Sequence, residues 1–155
     1  MKRPRKRPKR ARGAQRISER PAAPYAASGL LLDTHAWIWY KLSSRRLGPV
    51  ARAAIASAPD VYLSAASAWE IAIKTSAGKL APPYNGAIEA ELAFDRFTGL
   101  PVMLVHTEAL RTLPMVHRDP FDRMLVAQAK CEGLTIVTAD PHIARYGVGV
   151  LNATE

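Results

Sequence analysis

The sequence predicts a three-layer α/β/α fold with a central parallel sheet of four to five strands. Short apolar runs, such as Leu30–Leu32, are typical of strands that are buried on both faces. Longer segments with apolar residues at helical spacing lie between these runs. Strand and helix signals therefore alternate along the chain, which favours right-handed βαβ units and a parallel sheet covered by helices.

The N-terminal half of the core contains four predicted elements. The run Leu30–Leu32 is the first strand, which ends at Asp33, and residues 34–42 continue as a helix. A Gly-Pro pair then breaks the chain, and residues 50–58 form a second helix. Residues 61–64, with the sequence VYLS, are the second strand.

Two helices and one strand are predicted for the middle of the chain. Ser64 or Ser67 caps a helix that Gly78 ends, because serine accepts hydrogen bonds from free N–H groups and glycine adopts the left-handed conformation. After a Pro-Pro pair, residues 85–99 have the pattern of an amphipathic helix. Residues 101–106, with the sequence PVMLVH, are predicted to be the third strand.

Four further elements complete the predicted core. Thr107 caps a short helix that runs to Leu113. Residues 120–131 form a helix that a glycine ends, and residues 134–140 are the fourth strand. Residues 148–152 are a short fifth strand, so the predicted core consists of alternating strands and helices to its end.

The net charge of +9 is concentrated at the N-terminus. Residues 1–28 hold ten of the 22 Lys and Arg residues and one of the 13 acidic residues, so residues 29–155 carry no net charge. Because residues 1–28 have few large apolar side chains, we predict a basic disordered segment there and a folded domain over residues 29–155. The segment is either a phosphate-binding arm, whose binding would depend steeply on salt, or an extension without a role.

Composition makes several classes of protein unlikely candidates for this chain. Cys131 is the only cysteine, so no internal disulfide can form, and a reduced cytoplasmic location fits. No apolar run reaches the roughly 18–20 residues needed to cross a bilayer. The basic N-terminus is not followed by the apolar segment of a secretory signal. We therefore expect neither a membrane protein nor a secreted one.

Acidic side chains fall where functional sites form in open α/β sheets. Asp33 and Asp140 close the first and fourth predicted strands, and such sites lie at the carboxyl ends of strands. Glu70 lies about two turns into an otherwise apolar helix, and Asp119 and Asp122 begin another helix. Carboxylates in these positions repel one another unless a cation neutralises them. Because the donors are oxygens and no Cys/His cluster accompanies them, we expect Mg²⁺ or Mn²⁺ rather than Zn²⁺.

The segment HRDPFDRMLVAQAK, residues 117–130, has two explanations. Asp119 suits a helix N-cap, Pro120 the first helical position and Asp122 the third, where an acid completes a capping box. Taken alone, the spacing is explained by helix initiation. Together with the other acids it also fits a metal site, which would activate water and stabilise the leaving oxygen in phosphodiester hydrolysis.

Four segments together resemble the PIN domain, and more narrowly the VapC-like ribonuclease toxins of bacterial toxin–antitoxin systems. They are LLLDTHAWIWY, SAASAWEIAIKTSAGKL, HRDPFDRMLVAQAK and LTIVTADPHIARYGV, and they follow the order of the family over nearly the whole core. The resemblance implies a PIN-like α/β/α domain, a Mg²⁺- or Mn²⁺-dependent ribonuclease and an RNA substrate. It also implies a cognate antitoxin that covers the acidic site, and a homodimer.

The resemblance assigns roles to the acids. Asp33, Glu70, Asp122 and Asp140 match the catalytic, metal-binding acids of the family. Asp119 is either a helix cap, a group that orients a ligand, or a ligand that acts through water. As a hypothesis, Asp119 starts the helix and Asp122 faces the metal.

Several other polar residues are candidates for supporting roles. Thr138 matches a hydroxyl residue that precedes the last acid by two positions, where it would hold a metal ligand in place. His35 would contact substrate phosphate or pack at the start of a helix. Arg123 would contact phosphate, pair with an acid or meet an antitoxin segment. His117 and Arg118 are expected to be solvated loop residues, although both could meet RNA.

The predicted function is hydrolysis of RNA phosphodiester bonds by the toxin of a toxin–antitoxin pair. The alternative is a catalytically silent PIN-fold module that binds RNA or protein. A phosphatase with an aspartyl nucleophile is less well supported, because no acid lies two residues after Asp33. A 5′-flap DNA nuclease is also less well supported, because the chain is short and has no extra segment to thread the substrate.

Overall fold

The computed structural model describes residues 29–155. The segment predicted to be disordered, residues 1–28, lies outside the described residues. The strands are β1 (Gly29–Leu32), β2 (Asp60–Ser64), β3 (Thr98–Leu100), β4 (Thr135–Thr138) and β5 (Gly149–Asn152). The helices are α1 (Thr34–Lys41), α2 (Pro49–Ser57), α3 (Ala65–Ser76), α4 (Ile88–Asp95), α5 (Leu104–Leu110) and α6 (Pro120–Glu132), with a 3-10 turn at Ile143–Tyr146. No helix of the described chain is both long enough and apolar enough to span a membrane.

The five strands form one sheet in the order β3-β2-β1-β4-β5, and every neighbouring pair is parallel. This arrangement confirms the predicted fold class. The chain moves outwards from β1 through β2 to β3, and then returns to the other side of β1 with β4 and β5. The order thus reverses between β1 and β4, where open α/β sheets place their sites.

Two hydrophobic cores cover the faces of the sheet. Leu31 and Leu32 are both fully buried neighbours on β1, and they belong to different cores because successive side chains of a strand point to opposite faces. Leu32 packs in a core with Trp37 of α1, whereas Leu31 packs in a core with Leu125 of α6. Burial on both faces explains why β1 is a continuous apolar run.

Local capping follows the sequence at α3 and α6. The Ser64 hydroxyl accepts a hydrogen bond from the Ala66 N–H at 2.9 Å, so Ser64 and not Ser67 caps α3. Gly133 ends α6 with φ 69°, the left-handed conformation that glycine adopts most readily. Gly78 has φ 67° and lies in the turn that follows α3.

The strand predicted at residues 101–106 is wrong. The third strand is Thr98–Leu100, and the chain enters α5 at Leu104. The apolar residues 101–106 favour a buried strand by composition. In the structure Leu104 and Val105 are 83% and 58% exposed, and in α5 only His106 is buried. Apolar composition did not indicate burial here, because these side chains lie on an outer surface.

The helix predicted at residues 85–99 is shorter in the structure. The helix α4 covers Ile88–Asp95, and Arg96 ends it in the left-handed conformation with φ 61°. Residues 98–100, of which the first two were predicted to be helical, form β3 and pair with β2 at the edge of the sheet. Thr107 does not cap a helix, because it lies inside α5 and its hydroxyl donates to the Leu104 carbonyl.

Candidate metal centre

The candidate site lies at the carboxyl ends of β1 and β4, on neighbouring strands. Asp33 directly follows β1, and its N–H donates to the Val137 carbonyl of β4 at 3.1 Å. Asp140 lies two residues beyond β4, and its N–H donates to the Thr138 hydroxyl at 3.0 Å. Strand pairing and one local hydrogen bond therefore bring these two predicted acids to the same edge of the sheet.

Asp33 is a buried carboxyl group with a helix cap function. Its side chain is the N-cap of α1 and accepts a hydrogen bond from the Ala36 N–H at 2.6 Å. Burial raises the pKa of Asp33, while a hydrogen bond from the Thr138 side chain lowers it. Thr138 thus contacts both Asp33 and Asp140, and its role in holding metal ligands stays a prediction.

Asp119 caps α6, as the sequence predicted. One Asp119 carboxylate oxygen accepts hydrogen bonds from the N–H groups of Phe121 at 2.8 Å and Asp122 at 3.4 Å. Pro120 is the first helical residue, where its missing N–H costs nothing. The cap fixes the start of α6, and the start of α6 in turn positions Asp122 at the site.

The carboxyl group of Asp122 is strongly perturbed by its surroundings. Burial is the main reason why the pKa of Asp122 is raised to about 7, and the Asp119 carboxylate raises it further. The Asp33 and Asp140 carboxylates also raise it, whereas His117 lowers it. Four acids therefore act on one another across a small space. A divalent cation would relieve this repulsion, so the chemistry of the donors fits a hard metal ion.

His117 is the site residue that the sequence analysis missed. It was expected in a solvated loop, but its Nε2 atom lies 2.8 Å from Asp140 Oδ2 and 3.4 Å from Asp122 Oδ2. Among residues 29–155, only His117, Asp122 and Asp140 form a group whose potential ligand atoms all lie within 4.8 Å of one another. The one available sequence signal was its place two residues before the Asp119 cap, where a ring can reach back to the helix start.

Glu70 lies away from this three-residue group. It is buried on α3, and its carboxylate accepts hydrogen bonds from the Thr34 hydroxyl and the Lys74 ammonium group. The pair with Lys74, four residues along α3, is an ion pair within the helix at a common spacing. Through Thr34, Glu70 is tied to the start of α1 directly after Asp33, and its assignment as a metal ligand stays a prediction.

The two residues predicted to contact substrate have different surroundings. Arg123 donates to the carbonyl oxygens of Pro114, Leu110 and Leu113 at 2.8, 3.3 and 3.4 Å, so its guanidinium group fastens the loop before α6. These contacts give Arg123 a structural role, and its contact with substrate phosphate stays a prediction. His35 is exposed at the start of α1, close enough to lower the pKa of Asp33 by its charge.

The PIN domain family model matches residues 30–149 of the chain. The protein belongs to the PIN domain family. This membership confirms the resemblance that the four sequence segments indicated. It also accounts for the carboxylates at the edge of the sheet, since PIN domains are generally metal-dependent nucleases. No curated protein sequence matches the chain significantly.

Three solved structures are similar to the chain in fold. A structure of FitAB bound to IR36 DNA is 20% identical, with a TM-score of 0.55, and covers 81% of this chain and 96% of the other. VapBC2 from Rickettsia felis, bound to a promoter DNA fragment, is 12% identical, with a TM-score of 0.60 and coverages of 80% and 98%. FitAcB from Neisseria gonorrhoeae is 21% identical, with a TM-score of 0.54 and coverages of 80% and 97%.

Proposed function

We propose that this PIN-domain protein is a metal-dependent endoribonuclease that hydrolyses RNA phosphodiester bonds in the cytoplasm. The observation that carries the proposal is the convergence of Asp33, Asp119, Asp122 and Asp140 at one edge of the sheet, with a pKa of about 7 for Asp122. We further propose that it is the toxin of a toxin–antitoxin pair, with an antitoxin that covers this acidic edge. The named FitAB and VapBC2 assemblies support this role by their similar fold.

In this proposal Asp33, Asp122 and Asp140 hold Mg²⁺ or Mn²⁺, and Glu70 is a fourth ligand. The cation, when bound, activates water for attack on phosphorus and stabilises the leaving oxygen. Thr138 holds Asp33 and Asp140 in place. Thr34 and Lys74 each engage one oxygen of Glu70, and each oxygen keeps a further lone pair through which it would bind the cation.

The second candidate function is a catalytically silent module that binds RNA or protein. The observation that favours it is the place of Glu70, which pairs with Thr34 and Lys74 and lies outside the group formed by His117, Asp122 and Asp140. In this case the acidic edge would bind a cation or a basic segment of a partner without hydrolysing RNA.

Cleavage of pooled cellular RNA by the purified protein distinguishes the two functions. We expect fragments in Mg²⁺ or Mn²⁺ and none when EDTA removes the cation. The silent module would be favoured if the protein binds RNA in either cation but leaves it intact. A cooperative thermal transition shows that the protein in this assay is folded. Cleavage that persists in EDTA would contradict the metal-dependent mechanism.

We also propose that the protein is a homodimer whose contact surface includes α3, α5 and the start of α6. Trp69 of α3 is 64% exposed and lies edge to face against Phe121, with ring centroids 5.3 Å apart. Apolar side chains that include Val102 and Met124 line a groove of about 420 Å³ beside this pair. Exposed apolar surface of this kind is typical of protein contacts.

Trp69→Glu is expected to convert the dimer into a monomer, because it places a charge in the centre of the proposed apolar contact. Size-exclusion chromatography with light scattering measures the change in mass. The matched control is Val50→Glu on α2, where the side chain is 56% exposed but lies outside this surface. A wild-type monomer, or a Trp69→Glu dimer, would contradict the proposed contact surface.

For the basic segment, residues 1–28, we propose the role of a phosphate-binding arm. The segment carries the entire net charge of +9, while the domain that holds the acidic site is neutral. A neutral domain with clustered carboxylates gains little attraction for RNA phosphates from its bulk charge. The proposal therefore assigns most of the salt-dependent RNA affinity to residues 1–28.

Replacing six basic residues of the segment by Gln is expected to flatten the salt dependence of RNA binding. For single strands the slope of log affinity against log salt changes by about 0.7 per phosphate contact, so up to about 4 should be lost. Fluorescence anisotropy of a labelled single-stranded RNA in EDTA measures this slope. The six substituted residues are Arg3, Arg5, Lys6, Arg7, Lys9 and Arg10.

The matched control replaces six exposed basic residues of the folded domain by Gln and should leave most of the slope intact. These residues are Arg45, Arg46, Lys79, Arg96, Lys130 and Arg145. If both sets change the slope equally, or if only the domain set changes it, the segment has no special role in phosphate binding.

A further inference from the structure

We infer that His117 is a positioning residue, which donates a hydrogen bond to Asp140 and does not itself coordinate the cation. The short distances from His117 Nε2 to two acids would equally suit a metal ligand, so the distinction depends on where the ring carries its hydrogen. The inference rests on the proposed metal site, and it concerns the way in which that site is held.

The hydrogen bonds of the ring place its hydrogen on Nε2. The Asp119 N–H donates to His117 Nδ1 at 3.0 Å, so Nδ1 is an acceptor and carries no hydrogen. The Nε2–H group then lies beside the two acids, with Nε2 2.8 Å from Asp140 Oδ2 and 3.4 Å from Asp122 Oδ2. Because Asp140 Oδ2 is the nearer oxygen, it is the acceptor that we infer for Nε2–H.

Coordination through Nε2 would conflict with this arrangement. A neutral ring that binds a metal through Nε2 must carry its hydrogen on Nδ1. That hydrogen would face the Asp119 N–H, and two donors would meet where there is now one hydrogen bond. Because the same Asp119 residue caps α6, its N–H cannot turn away without disturbing the helix start.

The backbone of His117 is also fixed. Its N–H donates to the hydroxyl of Tyr146 at 2.8 Å, and Tyr146 is buried. Arg123 fastens the preceding loop through three carbonyl oxygens and lies 3.4 Å from the same Tyr146 hydroxyl. The ring is thus held at its backbone and at Nδ1, which leaves Nε2–H as a rigid donor aimed at the site.

The result for Asp140 is a carboxylate with a protein group beside each oxygen. Oδ1 accepts a hydrogen bond from the His142 N–H at 2.8 Å, and Oδ2 lies 2.8 Å from His117 Nε2. The Asp140 N–H donates to Thr138, which also contacts Asp33. Each carboxylate oxygen of Asp140 keeps a further lone pair, so the group can still bind a cation in a defined orientation.

Nitrogen-15 NMR of histidine-labelled full-length protein tests the location of the hydrogen directly. The chain has four histidines, and His117→Gln identifies the signals of His117 by their loss. We expect His117 to carry its hydrogen on Nε2 both in EDTA and with saturating Mg²⁺. A hydrogen on Nδ1 in Mg²⁺ would overturn the inference, because it would leave Nε2 free to coordinate.

Titration calorimetry with Mn²⁺ alone tests the positioning effect, without RNA and independently of nuclease activity. We expect His117→Ala to weaken Mn²⁺ binding about 10-fold, the lower end of the effect of losing a group that orients a ligand. His117→Gln keeps an N–H donor at a similar reach and should recover most of that loss. The pair Lys79→Ala and Lys79→Gln, at an exposed residue in the turn after α3, is the control, and neither should change Mn²⁺ affinity.

Two results would contradict the positioning role. Equal losses in His117→Ala and His117→Gln would show that a donor at this position is not what matters. Unchanged affinity in His117→Ala would show that Asp140 needs no support from the ring. Thermal melting of each variant in EDTA identifies any loss of folding, and the wild-type NMR result decides the inference if His117→Ala fails to fold.

Discussion

Asp122→Asn is expected to abolish RNA cleavage, with a loss of cleavage rate of more than about 100-fold. Removing a group that only orients a metal ligand costs at most about this much, so a larger loss indicates a ligand itself. Asp119→Asn should lose less than about 10-fold, because Asn also accepts the hydrogen bonds of a helix cap. The reason for the difference is geometric. Asp119 is engaged by the N–H groups at the start of α6, whereas the carboxylate of Asp122 lies among the other acids.

Thermal and urea unfolding of both variants in EDTA provides the control for this comparison. Because burial and neighbouring carboxylates raise the pKa of Asp122 to about 7, its ionised form destabilises the metal-free protein. Asp122→Asn should therefore be more stable than wild type at pH 8 by about 1 to 3 kcal/mol. If Asp119→Asn is as inactive as Asp122→Asn while remaining folded, Asp119 is more than a cap.

The stability of the metal-free protein is expected to fall as the pH rises from about 4 to about 7. Asp122 has an ordinary pKa of 3.8 when unfolded and about 7 when folded, so the folded state binds more protons between these values. Below both values the group has no effect, and above both the full cost of ionising it is present. The raised pKa of Asp33 acts with the same sign.

Mg²⁺ is expected to reverse the fall in stability with rising pH, because the cation stabilises the ionised acids. The rise in melting temperature caused by Mg²⁺ over EDTA should be small at pH 5 and large at pH 8, where no proton competes for Asp122. Differential scanning calorimetry at pH 5, 6, 7 and 8 measures both trends. Asp122→Asn should remove most of the difference between the Mg²⁺ effects at pH 5 and pH 8. A Mg²⁺ effect on the wild-type melting temperature that is equal at pH 5 and pH 8 would show that Asp122 does not bind the cation.

The sheet and most of its elements could be predicted from the sequence, because burial on both faces leaves a simple pattern. Leu31 and Leu32 are consecutive apolar residues that face two different cores, and this pattern is typical of a parallel strand. The same reasoning failed at residues 101–106, where an apolar run lies largely on the surface. Composition indicates that a residue is apolar, but only the tertiary structure determines whether it is covered.

The acids at the strand ends were also predictable, since parallel strands bring their carboxyl ends to one edge. Asp33 and Asp140 were placed correctly by this argument alone. His117 was not, because it lies on no strand or helix and reaches the site through the Tyr146 hydroxyl and the N–H of the Asp119 cap. The contact with Tyr146 joins residues 29 positions apart and leaves no periodic pattern.

Glu70 shows a different gap between sequence and structure. Its position two turns into α3 was evident from the sequence, and Lys74 lies four residues later, a spacing that favours an ion pair on a helix. The hydrogen bond from Thr34 was not evident, because it joins residues 36 positions apart. This bond places the Glu70 carboxylate against the start of α1.

The most direct test of the central claim is one RNA cleavage assay that compares wild type with Asp33→Asn in Mg²⁺, in Mn²⁺ and in EDTA. Asn can still accept the hydrogen bond from the Ala36 N–H, so the variant keeps the cap of α1 while it loses the charge. We predict cleavage by wild type in either cation, none in EDTA, and none by Asp33→Asn under any condition. Cleavage by Asp33→Asn at the wild-type rate, or intact RNA with folded wild-type protein in both cations, would contradict the proposed carboxylate-dependent ribonuclease.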